Sequence, residues 1–244
     1  GISLASIVIL YRINVLSRHF EDVFARAGLP YQVVGGHRFF DRKEIRDVLA
    51  YLRCIHNIHD DMALARIVNV PSRKVGATSL KQLLQLSAQH QKSVYELFLE
   101  RPQDIPSRAR SGLKQFFDVI LSLQQLLESN GDSISLSELV DRLLSLSGYA
   151  QMVSAEIVQM GQDRMDNIKE LMGIIDEDDL SLGDFLNKIS LLTDLDTADE
   201  TESVSLMTIH HSKGLEFDHV FVAGLEEGIF PHFRSGSSSE ELEE

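Results

Sequence analysis

The sequence predicts an α/β protein whose parallel sheet is interrupted by a large all-α insertion. Three observations carry that reading. A short apolar run near the start is followed by a helical pattern and a second extended run. The strand pattern then disappears from about residue 60 and helical patterns follow one another. Strand chemistry returns only at 204–209 and 219–224, beyond an acidic, polar stretch at 193–203.

The first element is SIVILY, residues 6–11, an apolar run rich in β-branched residues that reads as a buried strand. SRHFEDVFARAG places Phe20, Val23, Phe24 and Ala27 at helical spacing behind Ser17, a capping residue, and Gly28 and Pro30 stop the helix. YQVV, residues 31–34, is the second strand. Strand, helix and strand at this spacing form a βαβ unit, which implies parallel strands. Asp41 with Glu44 is a cap pattern opening a helix with Ile45, Val48, Leu49, Leu52 and Ile55 on its apolar face. Helical patterns then occupy 61–70, 78–90, 107–129, 137–147, 154–175 and 181–192. Thr78, Ser137 and Ser181 are expected N-caps, and Pro71, Pro102, Pro106, Gly131 and Gly148 punctuate the series.

Composition narrows the class. Hydrophobic residues make up 43% of the 244, enough for a core. No apolar run reaches the roughly 20 residues that span a bilayer, and the opening residues read as a strand, not a signal peptide. One cysteine, Cys54, excludes an internal disulfide and fits a reducing compartment, so the expected location is the cytoplasm. The net charge of −14 is unevenly spread: residues 1–120 carry 17 Lys and Arg against 11 Asp and Glu, residues 121–244 carry 6 against 26. The first half can meet a polyanion while the second faces water, although ordinary solvated faces give the same count.

Several stretches carry chemistry. None of the 15 glycines precedes a lysine, so the phosphate loop G-x-x-x-x-G-K-[ST] is absent from these residues. Ile174-Ile175-Asp176-Glu177 imitates a metal-holding strand end but closes a helical pattern. His56 and His59 share a helical face, yet Cys54 points elsewhere and no second ligand pair stands out. PSRKVGATS, residues 71–79, sets Arg73, Lys74 and Gly76 before a helix start, a pattern that suits contact with a nucleic-acid backbone or a plain interhelical turn. Tyr11 and Arg12 end the first strand, where open α/β sheets bind ligands. Arginine there can stabilise a transferring phosphoryl group, and tyrosine can stack on a base. TIHHSKGLE, residues 208–216, follows another strand, and its His210, Lys213 and Glu216 reach the same edge if the strands are parallel.

Together these stretches resemble the UvrD/Rep/PcrA-like superfamily 1A DNA helicases. VSLMTIHHSKGLEFDHVFVAGLEEGIFPH is similar to motif V and its following segment, and ILYRINVLSRHFEDVFARAGLPYQVVGGHRFFDRKEIRDVLAYLR to motif IV and its extension. The resemblance implies residues 1–58 as the first part of RecA-like domain 2A, 59–197 as the helical 2B insertion, and 198–244 as the second part of 2A. It implies ATP hydrolysis with Mg²⁺ between two RecA-like domains and 3′ to 5′ movement on single-stranded DNA. Tyr11 matches the adenine-packing residue, Arg12 the γ-phosphate arginine and Glu216 the glutamate near the ribose. Thr208, His210, Lys213 and His232 match the single-stranded DNA track. Arg73, Lys74 and Gly76 match a duplex-contacting element usually written Gly-Ile-Gly. Here Lys74-Val75-Gly76 removes one glycine and adds a charge.

The Walker motifs of this family belong to the first RecA-like domain, and its motif VI follows an acidic run such as the one ending at Glu244. The expectation is therefore a fragment, inactive by itself, that works with the first RecA-like domain, single-stranded and duplex DNA, and possible protein partners of the helical block. Two alternatives are the helicase portion of a RecB- or AddA-like helicase–nuclease, and a non-catalytic adaptor.

Overall fold

Four parallel strands form one sheet in the computed structural model, which describes residues 2–12, 16–34, 39–130, 134–156, 158–178, 180–195 and 202–226. They are β1 (Ile7–Tyr11), β2 (Tyr31–Val34), β3 (Val204–Thr208) and β4 (His219–Val222), in the spatial order β2-β3-β1-β4. The strands are parallel, as the βαβ spacing implies, and the order adds what spacing leaves open. β1 and β2 are parallel, but β3, nearly two hundred residues on, lies between them. Ile9 faces Leu206 and Tyr11 faces Thr208 on one side of β3, while Val33 faces Leu206 on the other.

β3 is buried along its whole length, as a central strand with both faces covered should be. Ile9, Tyr11, Tyr31, Val204 and Leu206 form the core of this unit. α1 (Ser17–Ala27) lays Phe20 and Phe24 against it, with the Phe24 ring 6.1 Å from that of Tyr31. Val23 and Ala27, expected inward, are exposed. The helix is rotated so that Ser17 and Glu21 are buried instead, because Glu21 has partners inside: Ser17 Oγ donates to it at 2.7 Å and the Phe39 amide at 3.0 Å. Arg42 donates to Ser17, and Arg18 and Arg42 lie over the Phe39 ring. β4 is an edge strand with Val220, Phe221 and Val222 exposed.

A second compact unit runs from Lys43 to Lys188, the first comprising residues 1–42 and 189–244. Its helices are α2 (Lys43–His56), α3 (Asp61–Ile67), α4 (Ala77–His90), α5 (Val94–Glu100), α6 (Ser107–Asn130), α7 (Leu136–Ser147), α8 (Tyr149–Ser154) and α9 (Val158–Asp178), with the start of α10 (Leu182–Leu195). The sequence grouped α2 with the sheet. Here α2 packs on α3, α6, α7 and α9, and nine of its residues are buried, which makes it the central helix of this unit. α5 and α8 were not expected. α5 opens on a capping box in which Ser93 and Glu96 satisfy each other's backbone amides. Two caps also move: Ser135, not Ser137, caps α7, and Gly76, not Thr78, precedes α4, while Ser181 accepts from the Asp184 amide as expected.

Carboxylates on α2 cross-link the unit. Asp47 is buried, pairs with Arg66 at 2.8 Å and accepts from the Tyr149 hydroxyl at 3.1 Å. Burial, reinforced by the Asp47 charge, pushes the Tyr149 phenol up, so it stays a donor. Glu44 accepts from Asn167 at 2.6 Å, and Arg164 bridges towards it from a contact with Glu156. We expect Asp47→Ala to destabilise the chain by roughly 3 kcal/mol, the low end for breaking a buried pair because Arg66 still reaches solvent. Lys114→Ala, which breaks the exposed Lys114–Asp118 pair, should cost under about 1 kcal/mol. Urea unfolding monitored by circular dichroism separates the two.

Candidate functional site

Parallel pairing of β1 with β3 brings their carboxyl ends to one edge. The ladder continues one step past the strands, where the Ile209 amide donates to the Tyr11 carbonyl at 2.9 Å. The chain then turns back on itself. The amides of His211 and Ser212 both donate to the Thr208 carbonyl, Ser212 Oγ donates to the Ile209 carbonyl, and Gly214 adopts φ of 84°. That positive φ is the reason for a glycine there.

This turn sets apart two adjacent histidines. His211 Nδ1 lies 2.7 Å from Thr208 Oγ1, a contact inside the turn. His210 reaches across to β1, where Arg12 Nη1 lies 2.6 Å from its Nε2 and 2.9 Å from its Nδ1. Lys213 and Glu216 are exposed on the turn. Arg12, Thr208, His210, Lys213 and Glu216 are thus gathered by two neighbouring strand ends. His232 lies outside the described residues.

Tyr11 stands apart from the expectation. Its ring is wholly buried in the sheet core. Burial first, and the Glu21 charge second, push its phenol up to about 12. In this conformation it presents no ring face to a base.

The second predicted locus, residues 71–79, belongs to the helical unit, and here Arg73 requires a correction. Expected to face nucleic acid, it is buried. Nη1 donates to the carbonyls of Ile67, Val68 and Pro71, and Nη2 to Tyr51 Oη at 2.9 Å and the Ser147 carbonyl at 3.1 Å. Its guanidinium also lies over the Phe116 ring. An arginine with these partners is an internal strut. Its fork geometry suits several carbonyls at once, which the sequence could not reveal.

Lys74 and Gly76, in contrast, are exposed. Asn69, overlooked in the sequence, holds the loop: its Oδ1 accepts from the Arg73 amide at 2.8 Å and the Val75 amide at 3.1 Å. An asparagine two residues before a proline was a legible turn signal. Lys74, between those two amides, has φ of 63°, a conformation that favours glycine. Gly76 caps α4 without a side-chain bond, so the helix begins with amides free of a side-chain cap. Gly112 lets α6 close on the loop, since a Cβ there would sit 2.2 Å from the Arg73 carbonyl oxygen.

The other sequence candidates resolve simply. Asp176 and Glu177 lie within α9. His59 is hydrogen-bonded to Ser93 Oγ, and among the described residues no three His, Cys, Asp or Glu side chains gather as for a metal ion. No helix among them is long and apolar enough to cross a membrane.

A parallel sheet with charged groups at its carboxyl edge, divided in sequence by a helical insertion, is the architecture of a RecA-like helicase domain. The chain belongs to the UvrD-like helicase C-terminal domain family, which it matches over residues 1–244. It is 39% identical to the ATP-dependent DNA helicase PcrA of Bacillus subtilis, across 99% of this chain and 34% of that protein. Proteins of the same name from Staphylococcus epidermidis and Staphylococcus aureus are 36% and 38% identical, over 100% and 96% of the chain and 34% and 33% of theirs. The chain therefore spans about a third of the length of these relatives.

The loop geometry gives two stability changes of opposite sign. Asn69→Ala strands two amides and should cost about 1–3 kcal/mol. Lys74→Gly relieves the left-handed residue and should stabilise by about 1 kcal/mol. Thermal unfolding of both variants beside the parent chain measures them.

Proposed function

We propose that this chain is part of an ATP-dependent DNA helicase that moves 3′ to 5′ along single-stranded DNA and opens duplex DNA in repair or replication. The observation that carries the reading is the meeting of Arg12 with the Thr208–Glu216 turn at one carboxyl edge of a parallel sheet. The names of the relatives, ATP-dependent DNA helicases, support it.

In this reading ATP sits between this edge and a first RecA-like domain of the same protein. Arg12 donates to the γ-phosphate. Its fixed charge faces the oxygens on which negative charge collects as the phosphoryl group transfers, so it lowers the barrier by electrostatics rather than by bond chemistry. Glu216, exposed at the end of the turn, accepts from a ribose hydroxyl. His210 and Lys213 are assigned to the single-stranded DNA track, with His232 beyond the described residues, whereas Thr208, expected on that track, is buried and holds the turn from within through His211. Mg²⁺ accompanies ATP, and we assign it no ligand in this chain. Tyr11 packs on adenine only if its ring leaves the core position it holds here.

The helical unit contributes duplex contacts. Lys74 and the amides at the start of α4 suit phosphate oxygens, which are bound irrespective of sequence. Arg73 serves this surface from inside by fixing the loop. Protein partners bind through the same unit, and the protein works in the cytoplasm.

Two measurements test this reading in the protein at its natural length. Arg12→Ala should lower DNA-stimulated phosphate release on the order of 100-fold. Turnover within a factor of about three of the parent would remove Arg12 from the phosphate site. Lys74→Ala should reduce the slope of log affinity against log salt for duplex DNA by about 0.9, the share of one phosphate contact. An unchanged slope places that contact elsewhere.

A further inference from the structure

We infer that the outward face of α4 is a docking site for an acidic amphipathic helix of a partner protein. The inference rests on the reading that protein partners bind through the helical unit, and it names the surface and the chemistry of the partner.

Of the 14 residues of α4 only Ser79 and Leu83 are buried. They lie one turn apart and mark the inward face. Ala77, Leu80, Leu84 and Ala88 recur every three or four residues on another face. With Lys81 and Gln85 they line an open groove of about 420 Å³. Leu80 and Leu84 are half-buried at its centre, and the alanines at either end are exposed. The stripe is about 16 Å long, three helical turns, and its small end residues let a second helix approach closely.

The charge around this groove has one sign. Residues 62–95 contain no Asp or Glu, and neither do residues 105–117, although the whole chain is at −14. The two acid-free stretches adjoin, because Gly112 of the second lies against the Arg73 carbonyl of the first. Lys81 is exposed in the groove and makes no hydrogen bond or ion pair with a described residue. Gln85 also borders a second cavity, of about 590 Å³, whose far wall carries Arg110. Arg110 commits Nε and Nη2 to the carbonyls of Ile105 and Gln103, at 3.1 Å each, and keeps Nη1 for a ligand. Asp104 on the same wall is paired with Arg101.

The groove thus asks for a ligand that is both apolar and acidic. Duplex DNA would satisfy the cations but not the leucines, because a phosphate backbone brings no aliphatic side chain to bury against them. A helix with leucines three and four residues apart and glutamates beside them satisfies both, in the helix-in-groove mode. Its carboxylates meet Lys81, and Arg110 adds to the same field.

The test titrates the protein at its natural length with a fluorescein-labelled, stapled helical peptide that carries leucines at i, i+3 and i+7 and glutamates flanking them, read by anisotropy. A second peptide has lysines in place of the glutamates. The glutamate peptide should bind the parent, and the lysine peptide should bind about tenfold more weakly. Leu84→Gln should weaken the glutamate peptide about tenfold while leaving duplex DNA affinity unchanged. Lys81→Glu should weaken the glutamate peptide about tenfold and bind the lysine peptide within about threefold of the original pair. No binding of the glutamate peptide to the parent, or binding that neither substitution alters, overturns the inference. So does an equal loss of duplex affinity in Leu84→Gln, which would make the groove a nucleic-acid surface, or self-association of the parent that Leu84→Gln abolishes, which would make the occupant a second copy. DNA-stimulated phosphate release by the parent is measured alongside: its presence without peptide binding removes the docking site and leaves the helicase reading intact, and its absence removes the helicase reading while the peptide titration still decides the docking site.

Discussion

Val8 to Tyr11 lie beside Ser205 to Thr208 in parallel register, although almost the whole length of the chain separates them. This pairing closes a long loop, which costs on the order of 4–5 kcal/mol for a flexible chain of that length. What offsets the cost is visible in the residues. Both segments are rich in Val, Ile, Leu and Met, and β3 is buried throughout. β2 then adds to the free side of β3 and β4 to the free side of β1. Without the β1–β3 register Arg12 and His210 would not meet, and neither strand end would have a partner with which to form a site.

The helical unit solves a different problem, which is to hold an irregular loop still without using regular structure. Asn69 pins two amides, Arg73 ties carbonyls from three separate places, and Tyr51 Oη donates to the Val70 carbonyl at 2.6 Å. Each interaction satisfies backbone groups that a turn would otherwise leave unpaired. The loop can then keep Lys74 at positive φ, a strained position for lysine, and present its ammonium group outward. The basic pair Arg73-Lys74 therefore divides its work: one charge is inside as scaffold and the other outside on the surface.

Both loci show the same economy. The candidate side chains sit at or just beyond the end of a regular element, and the regular element sets their position. Thr208 is the last residue of β3 and Arg12 follows β1 directly, while Gly76 precedes α4. Rigid elements supply the register, and the short turns carry the polar side chains. The buried carboxylates of α2 extend the idea into the interior, where Asp47 and Glu44 tie α2 to Arg66, Tyr149 and Asn167.

Much of this was legible in the residues. Short apolar runs with β-branched residues marked all four strands, the exposed edge strand β4 included, and amphipathic spacing marked most helices. The charge-bearing turn at 208–216 and the strand end at Arg12 were legible too, as was a capping box at Ser93 and Glu96 that reveals α5 once sought. Three matters were decided only by the tertiary structure. The place of β3 between β1 and β2 depends on non-local pairing, to which local periodicity is blind. Whether Arg73 faces water or carbonyls, and whether Tyr11 shows its ring or buries it, depends on neighbours brought in by folding. The choice between His210 and His211 as the partner of Arg12 depends on the direction of a turn, which adjacent identical residues cannot encode by their identity. The sequence determined which chemistry is available and on which elements. The fold determined which groups meet, because contact between distant residues is set by register and burial rather than by spacing along the chain.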